Sequence, residues 1–439
     1  MIFNMKVGIF TTFTDLNPEY SLVTVVLQQL EMLKKYGYNP ILFVLSNFHG
    51  EIPEGVEIRK VIPQLILEPY GKGDLSKFEE DVEKAKNAME ENMQDIDVCL
   101  THDIIFINSY LPYNEALRRA IDGKLSHIGW LHWMHSAPSI RPTMDGSPYD
   151  NLYTLPKNSK LVYMNYTDVV RAAEMYGTWP KEVRTIFNPM DIRLLHKFHP
   201  LTNELIEQYD LLSADVIDIY PLSSTRMDES GKQLSKVVKI MGYIKKQGNS
   251  IRLVVPNAHA NAQREKDTIE RMYKLAFENG IERRELIFTS LHDIPKWEHG
   301  VPHDVIRDLF LISNVFIFPS VSENCPLVLL EAMAGKNLLI LNHSFPAMRD
   351  FALENALYFR FGSLVDNPQY PGGEENYYRD VALLTLSELN NNKVLNAAAR
   401  LRKYFSMDYI FKQQLEPAIM EINKNGRKNE NKSERSESE

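Results

Sequence analysis

VFIFPSVSENCPLVLLEAMAGK, residues 315–336, changes from one hydrophobic pattern to another halfway along, and that change decides how the chain is read. Val315 to Pro319 is a short apolar run closed by proline and serine, the mark of a buried parallel strand entering a loop. A helix follows. Asn324 or Cys325 stands before Pro326, a residue favoured in a first helical turn; Leu327, Leu329, Leu330 and Met333 then supply an apolar face until Gly335 ends it. Glu323 therefore lies on the loop and Glu331 inside the helix. A helix amino terminus at the carboxyl end of a strand offers unpaired N–H groups and partial positive charge, so an anion such as a diphosphate can bind there. The two carboxylates flanking it are badly placed for phosphate but well placed to accept hydrogen bonds from sugar hydroxyls on either side.

Working outward, the same alternation recurs. Lys6–Thr12 reads as a strand, Ser21–Lys35 as a helix closed by Gly37, and Pro40–Leu45 as a second buried strand, together a parallel-sheet unit. Residues 74–95 are highly charged at helical spacing and read as a solvated surface helix. DVCLT (97–101) and HIGWLH (127–132) are further strands with polar carboxyl ends, where open parallel sheets bind ligands. His132 and His135 are three apart, a spacing that suits a metal pair, but no third ligand stands nearby. Strand and helix patterns follow at 160–165 and 169–175. Asn188-Pro189 is a turn signal. Beyond about residue 195 the alternation restarts, with strands at 216–222, 251–255, 285–290 and 337–341 and helices at 233–246 and 305–312.

At 439 residues the chain is long enough for two domains, each with its own core. With 44% hydrophobic and 24% charged residues it has an ordinary globular composition, and a net charge of −9 gives no general attraction to nucleic acid or anionic membrane. Two cysteines, Cys99 and Cys325, argue against a disulfide framework and fit a cytoplasmic protein. No apolar run approaches the ~18 residues needed to span a bilayer, so any membrane contact is peripheral. The first residues lack a small-residue cleavage site, and the polar tail at 424–439 is expected to be disordered.

The string FPSVSENCPLVLLEAMAG (318–335) resembles the donor-site signature of retaining glycosyltransferases of the GT-B fold, most closely family 4. The resemblance implies an α/β protein of two Rossmann-like domains facing each other across a cleft. An acceptor domain would span 1–195 and a nucleotide-sugar donor domain 196–403, with a helix at 404–423 crossing back to the first. It implies transfer of a sugar from a nucleoside diphosphate to an acceptor hydroxyl with retention, metal-independent and with no cofactor beyond the nucleotide-sugar co-substrate. Glu323 would contact the transferred sugar, Glu331 the ribose, and Asn324, Cys325, Pro326 and Leu327 the donor at the helix start. Arg226 and Lys232, in the loop SSTRMDESGK, match cations that face the diphosphate, and His132, with His135 second, matches a histidine near the reacting carbon. His292, Trp297 and His303 are candidate neighbours of the base.

The chain departs from the family in its loop Thr12–Tyr20, TFTDLNPEY, which lacks paired glycines. The acceptor stays open among glycan, lipid, protein and modified DNA base. Residues 1–195 carry 19 basic and 25 acidic residues, a net −6 that disfavours a nucleic-acid acceptor, although Arg118-Arg119 is a local basic pair. Two alternatives share the fold: a nucleotide-sugar 2-epimerase, which would need no acceptor, and an inactive nucleotide-sugar-binding module.

Overall fold

The computed structural model describes residues 5–17, 19–65, 76–107, 110–135, 154–227, 231–258, 260, 262–291, 300–321, 323, 326–363 and 365–424. The chain divides into two α/β units, one taking Met1–Pro189 and Met407–Glu439 and the other Met190–Ser406.

The first unit is built on strands β1 (Lys6–Phe10), β2 (Asn39–Leu45), β3 (Glu57–Ile62), β4 (Val98–His102), β5 (Gly129–Trp133), β6 (Ser159–Tyr163) and β7 (Val183–Thr185). They pair in parallel in the order β3-β2-β1-β4-β5-β6-β7. Strands β4, β5 and β6 are buried along their whole length, which is why they read as near-continuous apolar runs. The helix Ser21–Lys35 buries Val23, Val26, Leu30 and Leu33. Gly37, at φ 80°, then lets Tyr38 N–H return to Leu33 O at 2.9 Å and end the helix.

In the second unit, β8 (Val216–Ile219), β10 (Ile251–Val255), β12 (Leu286–Phe288), β13 (Val315–Phe318), β14 (Leu338–Asn342) and β15 (Leu357–Phe359) form a sheet in the order β12-β10-β8-β13-β14-β15. The short strands β9 (Leu222–Ser223) and β11 (Asn257–Ala258) pair with each other. Counted from each unit's first strand, both sheets run 3-2-1-4-5-6, and the first adds β7 as a seventh strand at the end. The order therefore reverses between β1 and β4 in one and between β8 and β13 in the other, the switch points where doubly wound sheets open a crevice for ligands.

Three details differ from the pattern reading. The helix Ser76–Asn92 is not solvated all round: Phe78, Val82, Ala85 and Met89 are buried in one core with Ala116, Leu117 and Ala120 of the helix Leu111–Asp122. The division falls at Pro189 and not after 195, because Asp191 caps the short helix Ile192–Leu195 and Ile192 packs in the second unit's core. Tyr404 ends the helix Lys393–Tyr404, and helical structure resumes at Met407 with a π turn over Phe411–Leu415. That final segment belongs to the first unit. Phe411 stacks on Tyr36 at 4.1 Å, Asp408 accepts from the Tyr36 hydroxyl at 2.6 Å, and Phe411, Leu415, Ile419 and Ile422 complete a core with Val7, Leu33 and Leu131. Cys99 is a buried free thiol whose pKa burial pushes up. Among the described residues no helix is long and apolar enough to cross a membrane. The tail 425–439 lies outside the described residues.

Candidate functional site

At the switch point of the second sheet, the loops leaving β8 and β13 run side by side. Val321 N–H donates to Gly231 O at 3.1 Å, and Lys232 N–H donates to Arg226 O at 2.8 Å, folding the first loop back on itself. Gly231 is required there: a Cβ at that position would lie 2.7 Å from Arg226 O. Two buried amides hold the second loop. Gln233 Nε2 donates to Pro319 O at 2.5 Å. Asn342 donates to Ser320 O at 3.1 Å and accepts from Phe361 N–H at 3.0 Å.

This scaffold brings three of the expected side chains together. Lys232 Nζ lies 2.5 Å from Glu323 Oε1, which also accepts from Ser320 Oγ at 2.7 Å and lies 3.7 Å from an Arg226 nitrogen. Lys232 further sits 4.7 Å from the centre of the Phe318 ring. Its side chain is 8% exposed and that of Glu323 11%, whereas Arg226 is 45% exposed. Burial pushes the Lys232 ammonium below its usual pKa while the Glu323 carboxylate opposes that shift. Glu323 thus orients both cations, a task the sequence pattern did not assign to it. Ser320 carries no distinguishing signal either, since a serine after a strand is a common loop residue. Nearby, Asn257 Nδ2 donates to Ser224 and Ser290 hydroxyls at 2.9 and 2.7 Å, tying together the carboxyl ends of neighbouring strands.

The helix after β13 runs Leu327–Ala334 with Pro326 at its N-cap, and no side chain of that cap bonds the first turn. The Leu327 and Val328 N–H groups there have no intrahelical acceptor. Glu331 lies in mid-helix, and its Oε1 is 2.6 Å from Nε2 of His303, an exposed residue that opens the helix His303–Ile312. Asn324, Cys325, His292 and Trp297 lie outside the described residues.

In the first unit His132 is wholly buried within β5. Ser159 gives its hydroxyl proton to Lys157 O at 3.0 Å and so accepts from His132 Nε2 at 3.1 Å; Thr101 Oγ1 then serves Nδ1 at 2.8 Å. Both ring nitrogens are committed inside the sheet, and burial lowers the pKa to about 3. Among the described residues, His132 is not part of the lining of the cavity at the switch point of its sheet.

What does line a cavity is the set of residues just past the ends of β1 and β4. Thr11 to Asp15, Tyr20, His102, Asp103 and Tyr110 surround a space of about 160 Å3 at the switch point. His135 touches this cluster: its Nε2 lies 2.8 Å from His102 Nδ1, and its N–H donates to Asp103 Oδ1 at 2.8 Å. With Gln29 Oε1 accepting from His102 Nε2 at 3.0 Å, His135 is the donor in the histidine pair. Burial lowers the pKa of both rings, His135 to about 4, and raises that of Asp103, which is 7% exposed and has φ 57°. The sequence carries a signal for Asp103, a carboxylate just past a buried strand, but the apolar pattern of DVCLT ends at Thr101 while the strand runs on to His102.

No family model and no curated protein matches the chain. Among solved structures it is similar to a glycosyltransferase from Rickettsia africae ESF-5, at 14% identity over 96% of this chain and 99% of that one, with a TM-score of 0.36. It is also similar to a trehalose-6-phosphate protein from E. coli bound with UDP-2-fluoro glucose, at 14% identity over 96% and 98%, TM-score 0.32. A third is Anabaena Alr3699/HepE in complex with UDP-glucose, at 12% identity over 98% and 100%, TM-score 0.30. Likenesses this distant carry no weight for activity, which has to be reasoned from the chain's own side chains.

Proposed function

We propose that the protein is a glycosyltransferase of the GT-B, family-4-like kind, a hexosyl- or pentosyltransferase that moves a sugar from a nucleoside diphosphate to an acceptor hydroxyl with retention and without a metal. The observation that carries this reading is the convergence of Lys232 and Arg226 on Glu323 at the second switch point, following the strand that leads to the helix Leu327–Ala334. When the bond from anomeric carbon to diphosphate breaks, negative charge gathers on the departing phosphate oxygens. Lys232, Arg226 and the first-turn N–H groups of Leu327 and its neighbours stabilise it without reorganising. A phosphate oxygen of the leaving group takes the proton from the acceptor hydroxyl, which attacks from the same face. Glu323 fixes the cations and accepts a sugar hydroxyl, and Glu331 accepts from the ribose. His135, whose neighbours His102 and Asp103 border the cavity of the first unit, is the histidine near the reacting carbon, in place of His132. The cytoplasm is the proposed location.

The test is a panel of UDP, GDP, ADP and CMP sugars. A bound donor raises the melting temperature, and the product formed with an accepted hydroxyl shows the retained anomer by NMR. No stabilisation by any donor, or an inverted product, overturns the reading.

A further inference from the structure

We propose that the cavity at the switch point of the first sheet holds the acceptor, and that the acceptor is an uncharged polyhydroxyl compound, a sugar bearing neither phosphate nor carboxylate. The assignment rests on the glycosyl-transfer reading above. At about 160 Å3 the cavity has room for about five water molecules, on the scale of one sugar ring. Its described lining holds two carboxylates, Asp15 and Asp103, and neither lysine nor arginine.

The individual groups favour hydroxyls. Asp103 is nine-tenths buried, so its carboxylate needs hydrogen-bond donors; the His135 N–H supplies one at 2.8 Å, and the cavity side is open to others. Its left-handed backbone, φ 57°, is the kind of local strain that collects at ligand sites. Thr12 donates to the Tyr110 hydroxyl at 2.9 Å, and both oxygens retain acceptor capacity toward the cavity. Asp15 accepts from Asn17 N–H at 3.0 Å through one oxygen, and its other lies 3.9 Å from His49. Loops that cradle phosphate do so with glycines that bare successive N–H groups. Residues 11–15 read TTFTD and present side chains instead. An anionic acceptor would enter against like charge with no described cation lining the cavity to offset it.

Asp103→Asn is the diagnostic change. Asparagine tolerates the left-handed conformation and still accepts the His135 N–H, while the charge is lost. Glucose, galactose, mannose, glucose 6-phosphate and glucuronic acid are titrated into the full chain by calorimetry, and donor binding is followed separately by thermal shift. The wild-type protein should bind at least one neutral sugar saturably and at least tenfold more tightly than either anion. Asp103→Asn should weaken that binding about tenfold or more and narrow the preference, leaving donor stabilisation unchanged. Tighter binding of the phosphate or uronate, no saturable neutral-sugar binding, or unchanged affinity in a folded Asp103→Asn protein overturns the proposal. Absent donor stabilisation in the wild-type protein overturns the transfer reading instead, whether or not a neutral sugar binds.

Discussion

Past β8 and β13, Lys232 and Arg226 face Glu323 across two tightly laced loops. Past β1 and β4, at the equivalent point of the other sheet, stand threonine hydroxyls, a neutral histidine pair and a buried aspartate. The strand order around the reversal is the same, so backbone topology cannot be what separates them. Topology opens a crevice at each reversal; the loop residues then set its chemistry, two cations on a carboxylate in one and hydroxyls beside carboxylates in the other. The difference predicts which changes should damage which unit.

The largest effect is expected from Lys232→Ala, which removes a cation and strands a nearly buried carboxylate. kcat/KM should fall by roughly 100-fold or more, and the second unit should lose about 3 kcal/mol of stability. Adding Glu323→Ala should restore much of the stability and none of the turnover, as read by urea melts and steady-state kinetics. Arg226→Ala, half-exposed and more distant, should match the kinetic loss with little change in stability. Wild-type turnover in Lys232→Ala would break the comparison at its strongest point.

Acid should damage the other unit. His102 and His132 are buried neutral with pKa values depressed by burial, His132 to about 3. The unfolded chain therefore binds more protons, and their contribution to stability is complete above about pH 6.5 and falls as pH drops below it, in the case of His132 down to about 3. Each should cost about 1.4 kcal/mol per pH unit over that range. Hydrogen exchange between pH 7 and 5 should show the first unit opening ahead of the second. The reverse order would refute it.

Smaller changes separate the two glutamates. Glu331→Ala should raise the donor KM about tenfold with kcat nearly kept, because the proposed ribose contact would be made in ground and transition states alike. Glu323→Ala should chiefly lower kcat. His303→Ala removes only a partner on an exposed face and should stay within a few-fold of wild type. Equal, negligible effects of the two glutamate changes would remove the donor-site assignment. The smallest expected effect is none: turnover should survive excess EDTA, and its loss with recovery in magnesium or manganese would show that the cations are not sufficient.

Much of the architecture was legible because local patterns carry it. A parallel strand buried on both faces is an apolar run, and an amphipathic helix repeats every three to four residues, so β13, β10 and the helix Ser21–Lys35 can be read without a partner in view. The resemblance of residues 318–335 to a donor-site signature likewise implied that Arg226, Lys232 and Glu323 stand near one crevice. Weaker patterns were missed: β3 is half exposed and β15 has only three residues, so neither stands out from its surroundings.

What only the tertiary structure decided was how polar groups are spent. His132 looks like a site residue in HIGWLH, but its hydrogen-bond partners Thr101 and Ser159 lie 31 and 27 residues away on neighbouring strands, and no local pattern announces them. Asp103 and Thr12 line one cavity only because β1 and β4 are adjacent, although register partners such as Phe10 and Thr101 lie far apart in the sequence. The pairing of Lys232 with Glu323 spans 91 positions. Hydrophobic periodicity is a property of consecutive residues and survives in the sequence; hydrogen bonds and ion pairs between distant residues exist only once the sheet order has brought them together.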